Sequence, residues 1–158
     1  MTDGELIVRK ARVEDISGLV ASSARLLAED GGTRDPSINV DWPREHGAAS
    51  FAAALADPTR LVLAAECDGE VVGHLVGSVT GPSDKRLVTS ATLISLYVRP
   101  EHRRARAGAR LAGEFLDWAR REGAEHAEVT AYAANADAIR FYERNGFGAM
   151  TLTLRQSL

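Results

Sequence analysis

The sequence has a single cysteine, Cys67, in 158 residues. That excludes an internal disulfide and a cysteine-rich zinc site. No apolar run is long enough to cross a bilayer, and MTDGELIVRK at the start does not read as a signal peptide. A cytoplasmic protein is the expectation, with no membrane and no metal. The net charge is only -3, so the molecule as a whole is no binder of nucleic acid. There is no internal repeat and no low-complexity stretch. What remains is a chain of ordinary globular composition, 45% hydrophobic and 26% charged, whose length suits one domain over residues 1–158.

Another absence is local. Leu93 to Leu116 reads as a strand, a short arginine-rich loop and a helix. The strand part, Thr92 to Val98, is apolar on both faces, the pattern of a strand covered on both sides. Pro100 stops it. The helix part repeats Ala107, Leu111, Phe115 and Trp118 at helical spacing. A helix start leaves unpaired N–H groups and a partial positive charge, usually met by a Ser, Thr, Asp or Asn cap and by acids in the first turn. Arg103-Arg104-Ala105-Arg106-Ala107-Gly108-Ala109-Arg110 has neither. Each cation there is unfavourable by about 0.3–1 kcal/mol, and Gly108 adds about 1 kcal/mol relative to alanine. Two readings follow: a solvated loop before a frayed helix, or a site completed by an anion such as phosphate.

The rest of the chain alternates strands and helices. Glu5 to Val13 reads as a strand, and Ile16 to Leu27 as a helix with acids at its start. Glu29 to Pro43, with two glycines and two prolines, reads as an irregular loop. Its Glu29, Asp30, Asp35 and Asp41 form either a solvated surface or an acidic lip for a cationic amine, with Trp42 as wall or core. Arg44 to Leu55 is a helix. Leu61–Glu66 and Val71–Val79 are strands joined by an Asp68-Gly69 hairpin turn. His74, in the second of them, is either a hydrogen-bonded core residue or a base. Gly123 stops the arginine-loop helix. Ala127–Tyr132 is a strand, Asn135 caps a helix, and Met150–Leu154 alternates as a last strand.

Two segments carry a family resemblance. Val98-Arg99-Pro100-Glu101-His102-Arg103 and Arg103-x-x-Arg106-x-Gly108 are similar to the strand end and phosphate loop of GCN5-related N-acetyltransferases, Arg/Gln-x-x-Gly-x-Gly/Ala, with arginine in place of the first glycine. Asn135-Ala136-Asp137-Ala138-Ile139-Arg140-Phe141-Tyr142-Glu143-Arg144-Asn145-Gly146-Phe147 matches the family's Asn-x-x-Ala-x-x-Phe-Tyr-x-x-x-Gly-Phe. The resemblance implies an α+β fold, with a mixed, mostly antiparallel sheet of six or seven strands flanked by about four helices. It implies acetyl-CoA as co-substrate, no metal, and an amine acceptor. Dimers are common among similar proteins, so a homodimer is carried over as an expectation.

By the same resemblance, Leu96, Tyr97 and Val98 align the pantetheine arm. Arg103, Arg104, Ala105, Arg106, Ala107, Gly108 and Ala109 hold the diphosphate, and Asn135 and Tyr142 contact the coenzyme. Tyr142 also protonates the leaving thiolate, although alone it would read as a packed aromatic. Relatives often carry glutamate at the positions of Ile94 and Thr130. Here neither is acidic, which leaves Glu66, His74 or the acidic lip to take the amine proton. The expected activity is N-acetyl transfer, an acyltransferase reaction, to a small-molecule or peptide amine. The alternatives are a non-catalytic acyl-CoA-binding module and a protein N-terminal acetyltransferase, the latter disfavoured by Thr130.

Overall fold

The computed structural model describes residues 4–158. Five strands form one sheet in the order β1-β2-β3-β4-β5. β1 (Leu6–Lys10), β2 (Arg60–Cys67), β3 (Glu70–Thr80) and β4 (Ser90–Val98) pair antiparallel in succession, and β5 (His126–Val129) joins β4 in parallel. The helices are α1 (Ile16–Leu26), the single turn α2 (Gly32–Arg34), α3 (Trp42–Ala56), α4 (Ala107–Arg121) and α5 (Ala136–Arg144). The class is the expected α+β arrangement of helices around a mixed, mostly antiparallel sheet.

The continuous apolar runs of β2 and β3 follow from burial on both faces. Leu19 of α1 and Phe51 and Ala54 of α3 cover Val62, Ala64, Val71 and Val76. Leu111, Phe115 and Trp118 of α4 cover Leu61, Leu63, Leu75 and Leu93 on the other side. Each fully buried large side chain contributes about 1.5–3 kcal/mol. The β2–β3 hairpin turns at Asp68 (φ 51°) and Gly69 (φ 79°), the two positive φ angles a two-residue primed turn requires. Gly123 (φ 82°) stops α4, with the Ala124 amide donating back to Ala119 O at 3.0 Å.

Four expectations are corrected. β1 ends at Lys10, before Val13. Residues 27–34 are helical: α1 runs on through a wide π-turn, Leu27–Gly31, into α2. Gly31 and Gly32 mark close packing there, since a Cβ on Gly32 would lie 2.5 Å from Val40 and 2.7 Å from the Leu27 carbonyl. β5 stops at Val129 rather than Tyr132. Finally, the sheet has five strands among the described residues, because Met150–Leu154 takes no strand conformation and its side chains are exposed. A period-two pattern specifies which face a strand would bury; a strand forms only against a partner edge. This segment is instead held at its end, where Arg155 Nη1 meets Asp35 Oδ2 at 2.9 Å.

The apolar double face of β4 has a different cause from the expected one. Val76 pairs with Ser95 and Gly77 with Leu93, so Ile94 is the extra residue of a bulge. The bulge switches the alternation. Ala91 and Leu93 join the α4-side core before it, and Leu96 and Val98 join the same core after it. Ile94 itself is 51% exposed.

Candidate active site

The parallel pairing of β4 with β5 ends at Leu93 opposite Val129. β4 continues to Val98, still paired to β3, while the chain beyond β5 turns away. The strands therefore splay, and the β5-facing edge of residues 94–98 lacks a sheet neighbour. An unpaired strand edge of this kind can bind an extended amide-bearing ligand arm. Leu96, Tyr97 and Val98 lie on this edge, and Thr130 lies just past the end of β5.

The arginine segment is a 3₁₀ turn, Pro100–Ala105, rather than an open loop, and it feeds α4 through Arg106. Arg104, Ala105 and Arg106 are exposed, and Ala107 is buried under the helix start. No side chain caps α4, and its first turn carries no acid. The first-turn amides of Ala107, Gly108 and Ala109 have no carbonyl of their own helix within reach, the arrangement that suits an anion. Gly108 permits a close approach: a Cβ there would lie 3.1 Å from the Phe141 ring of α5.

Arg106 stands at φ 60°, ψ 26°, in the left-handed region. Right-handed helical dihedrals would accommodate a side chain here; the backbone instead keeps the left-handed conformation that glycine favours. The strain costs roughly 1–2 kcal/mol for a residue with a Cβ, partly offset by the greater freedom of glycine in the unfolded chain. Arg106→Gly should therefore stabilise the fold by about 0.5–1 kcal/mol. Urea denaturation checks this, and a lower midpoint in the variant would show that the arginine side chain holds the turn.

Asn135 caps α5, its Oδ1 accepting from the Ala138 amide at 3.1 Å, while its Nδ2 donates to Asp30 Oδ1 at 3.1 Å. Tyr142 is half-buried between Phe141 and Phe147, with ring centroids at 5.2 and 5.7 Å. Its phenol pKa is pushed up to about 12, first by burial and then by the negative charge of Asp30. The packed-aromatic reading and the proton-donor reading are thus compatible, since the neutral phenol is the form that persists.

The acidic lip divides in two. Glu29 and Asp30 sit on the π-turn, an irregularity frequent at functional sites. Glu29 Oε1 accepts from the Tyr97 hydroxyl at 2.6 Å, and Oε2 accepts from Arg103 Nη2 at 2.8 Å. Asp30 lies against Asn135 and Arg34. Asp35 and Asp41 are structural. Asp35 accepts from the Ser37 hydroxyl and amide and meets Arg155, contacts that lower its pKa. Asp41 precedes α3 and pairs with Arg44. Trp42 is exposed beside His46 rather than in the core.

The other two candidate bases are occupied. His74 is completely buried, hydrogen-bonded at Nδ1 to Ser22 Oγ (2.6 Å) and at Nε2 to Ser95 Oγ (3.3 Å). Burial lowers its pKa to about 4, so it stays neutral at pH 7. Glu66 pairs with Arg9 on the β1–β2 side of the sheet. Sequence reasoning missed Tyr132, whose hydroxyl lies 3.6 Å from where a Gly31 Cβ would stand. It also missed the serines around His74. No local pattern signals either, because each contact joins segments far apart in the chain.

The model of the Acetyltransferase (GNAT) family matches residues 27–147. The chain belongs to this family. The match spans both the arginine turn and the Asn135–Phe147 segment of this GNAT protein. No curated protein matches the sequence. Among solved structures, a transcriptional regulator from Bacillus halodurans C-125 is similar at 23% identity and TM-score 0.75, over 98% of this chain and 100% of that one. The aminoglycoside N-acetyltransferase AAC(6')-Iy in complex with CoA is similar at 14% identity and TM-score 0.76, over 99% and 97%. A "predicted acetyltransferase with acetyl-CoA from Clostridium acetobutylicum" is similar at 18% identity and TM-score 0.75, over 97% and 96%. At these identities the likeness is one of fold. Among the described residues no cluster of His, Cys, Asp and Glu is arranged to hold a metal ion, and no helix is long and apolar enough to cross a membrane.

Proposed function

We propose that this GNAT-family protein is an N-acetyltransferase, acting as one domain in the cytoplasm. It moves the acetyl group of acetyl-CoA to the primary amine of a small molecule or peptide, by direct attack in a ternary complex. The observation that carries the reading is the splay of β4 from β5 after Leu93, with the uncapped start of α4 and the Asn135–Tyr142 face of α5 gathered around it.

In this reading the diphosphate lies on the amides of Ala107, Gly108 and Ala109, with Arg103, Arg104 and Arg106 around it. The pantetheine arm follows the free edge at Leu96, Tyr97 and Val98. A backbone N–H of the same strand edge serves the developing oxyanion. The amine nitrogen attacks the thioester carbon, the C–S bond breaks, and Tyr142 supplies the proton to sulfur. Glu29 and Asp30 touch these parts through Tyr97, Arg103 and Asn135, and they take the place of the carboxylates missing at Ile94 and Thr130. Their charge favours a cationic acceptor such as a polyamine or an aminoglycoside. Fold neighbours include an aminoglycoside acetyltransferase crystallised with sisomicin, which agrees with that class.

Calorimetry of acetyl-CoA and CoA binding to the purified protein tests the first step, followed by an amine panel read by thiol release. Micromolar coenzyme binding with amine-dependent thiol release is the expected result. Coenzyme binding without turnover on any amine would favour the acyl-CoA-binding alternative, which the uncharged Ile94 and Thr130 support. The absence of binding at millimolar coenzyme would end the enzyme reading. For a homodimer, the unpaired outer edge of β5 and the exposed Met150, Leu152 and Leu154 are each available as a surface, and sedimentation of the same sample tests it.

A further inference from the structure

Arg103 is the first arginine of the phosphate motif, yet its guanidinium is drawn back onto β4. Nε donates to the Val98 carbonyl at 2.9 Å, Nη2 donates to Glu29 Oε2 at 2.8 Å, and the group lies 5.7 Å from the centroid of the Tyr97 ring. The other oxygen of Glu29 is fixed by the Tyr97 hydroxyl at 2.6 Å. The side-on fork of the arginine, Nε with Nη2, is the edge that grips a phosphate through two parallel bonds. Here both members of that edge are already used.

Glu29 thus joins the π-turn, the end of β4 and the arginine turn through one carboxylate. Its neighbour Asp30 ties the same turn to the cap of α5. The pair is half-exposed, with side-chain exposures of 51% for Arg103 and 41% for Glu29. The contact can therefore exchange with a solvent-borne anion without uncovering the core.

We infer that Glu29 is a latch that competes with the coenzyme diphosphate for Arg103, and that its release supplies the anionic contact for a cationic acceptor. The inference rests on the coenzyme site proposed above. With Arg103 on Glu29, the coenzyme meets a loop short of one arginine fork, and a cationic amine meets a carboxylate already neutralised. Transfer of Arg103 to the diphosphate changes both at once. Glu29 stays aimed by Tyr97 and is left with an unpaired charge beside Asp30. The acceptor site therefore gains the charge of Glu29 when the donor is in place.

The test is a cycle of wild type, Glu29→Gln, Arg103→Ala and the double variant, titrated with CoA by calorimetry. Glutamine keeps the shape and an acceptor for Tyr97 but removes the charge, and thermal melts of all four proteins confirm that they are folded. Glu29→Gln should bind CoA tighter by about two- to five-fold, the range a half-exposed ion pair supplies. That gain should vanish when Arg103 is alanine. Equal or weaker CoA binding by Glu29→Gln, or a gain that persists without Arg103, overturns the latch while leaving the coenzyme site intact. A failure of all four proteins to bind CoA overturns the coenzyme site and the latch together.

Discussion

Tyr142→Phe slows acetyl transfer by about 10²- to 10³-fold, within the range that removal of a positioned acid produces, and leaves CoA affinity unchanged. The substitution removes one oxygen from a ring already packed between Phe141 and Phe147, so the fold tolerates it. The phenol, at a pKa of about 12, lies above a leaving thiolate of about 8.5. Complete proton transfer therefore stays uphill even once the C–S bond has broken, and is favoured by whatever lowers the phenol pKa. Burial is the main cause of the shift, and the negative charge of Asp30 is the second. A cationic acceptor beside Asp30 offsets the second cause, which makes Tyr142 a better acid when the amine is present. The sign of the pH dependence follows. The phenol stays protonated throughout the neutral and mildly alkaline range, whereas a free alkylamine deprotonates only near pH 10. Turnover should rise with pH to at least about pH 9.5, with no alkaline fall assignable to Tyr142. Thiol release as a function of pH, for wild type and Tyr142→Phe, checks both points. A variant with wild-type turnover would remove Tyr142 from the mechanism.

The fold was legible wherever a local pattern had a local cause. The Asp68-Gly69 turn, the Gly123 stop and the Asn135 cap depend on a few neighbouring residues, and all three stand where the sequence places them. The helical stripe of α4 was equally plain, because Leu111, Phe115 and Trp118 face one core. What failed depended on partners distant in sequence. The alternation of Met150–Leu154 does not create an edge to pair with. Gly31 and Gly32 read as breakers because the packing of Val40 against Gly32 cannot be seen from neighbouring residues. At the site, the arginine turn and Asn135–Phe147 were found by motif, whereas the role of Glu29 was reduced to membership of an acidic lip. Its two partners, Tyr97 and Arg103, are 68 and 74 positions away, and no spacing rule reaches that far.

Phe115→Ala should cost about 3–5 kcal/mol, the loss seen when a buried phenylalanine is truncated. That is a large share of the roughly 5–15 kcal/mol that holds a domain folded. Phe115 has no exposed surface, packs beside Trp118 and lies directly over Gly77 of β3. A Cβ on Gly77 would stand 2.7 Å from the ring, so the strand has given up a side chain to seat the phenylalanine. Gly77→Ala should accordingly cost about 1–3 kcal/mol by overpacking. The two changes share one space. Their combination should cost less than the sum of the singles, by about 0.5–3 kcal/mol, because the new methyl fills part of the cavity left by the ring. Urea denaturation of the four proteins measures this. A strictly additive result would mean that the backbone moves to absorb each change separately. The consequence reaches the site, because Gly77 pairs with Leu93 immediately before the Ile94 bulge, and α4 carries the proposed coenzyme amides at its start. Phe115 thus helps to seat α4 on the strands that carry the edge on which acetyl transfer is proposed to occur. Phe115→Leu, which keeps much of the buried volume, should retain more of the stability and of the coenzyme affinity than Phe115→Ala does.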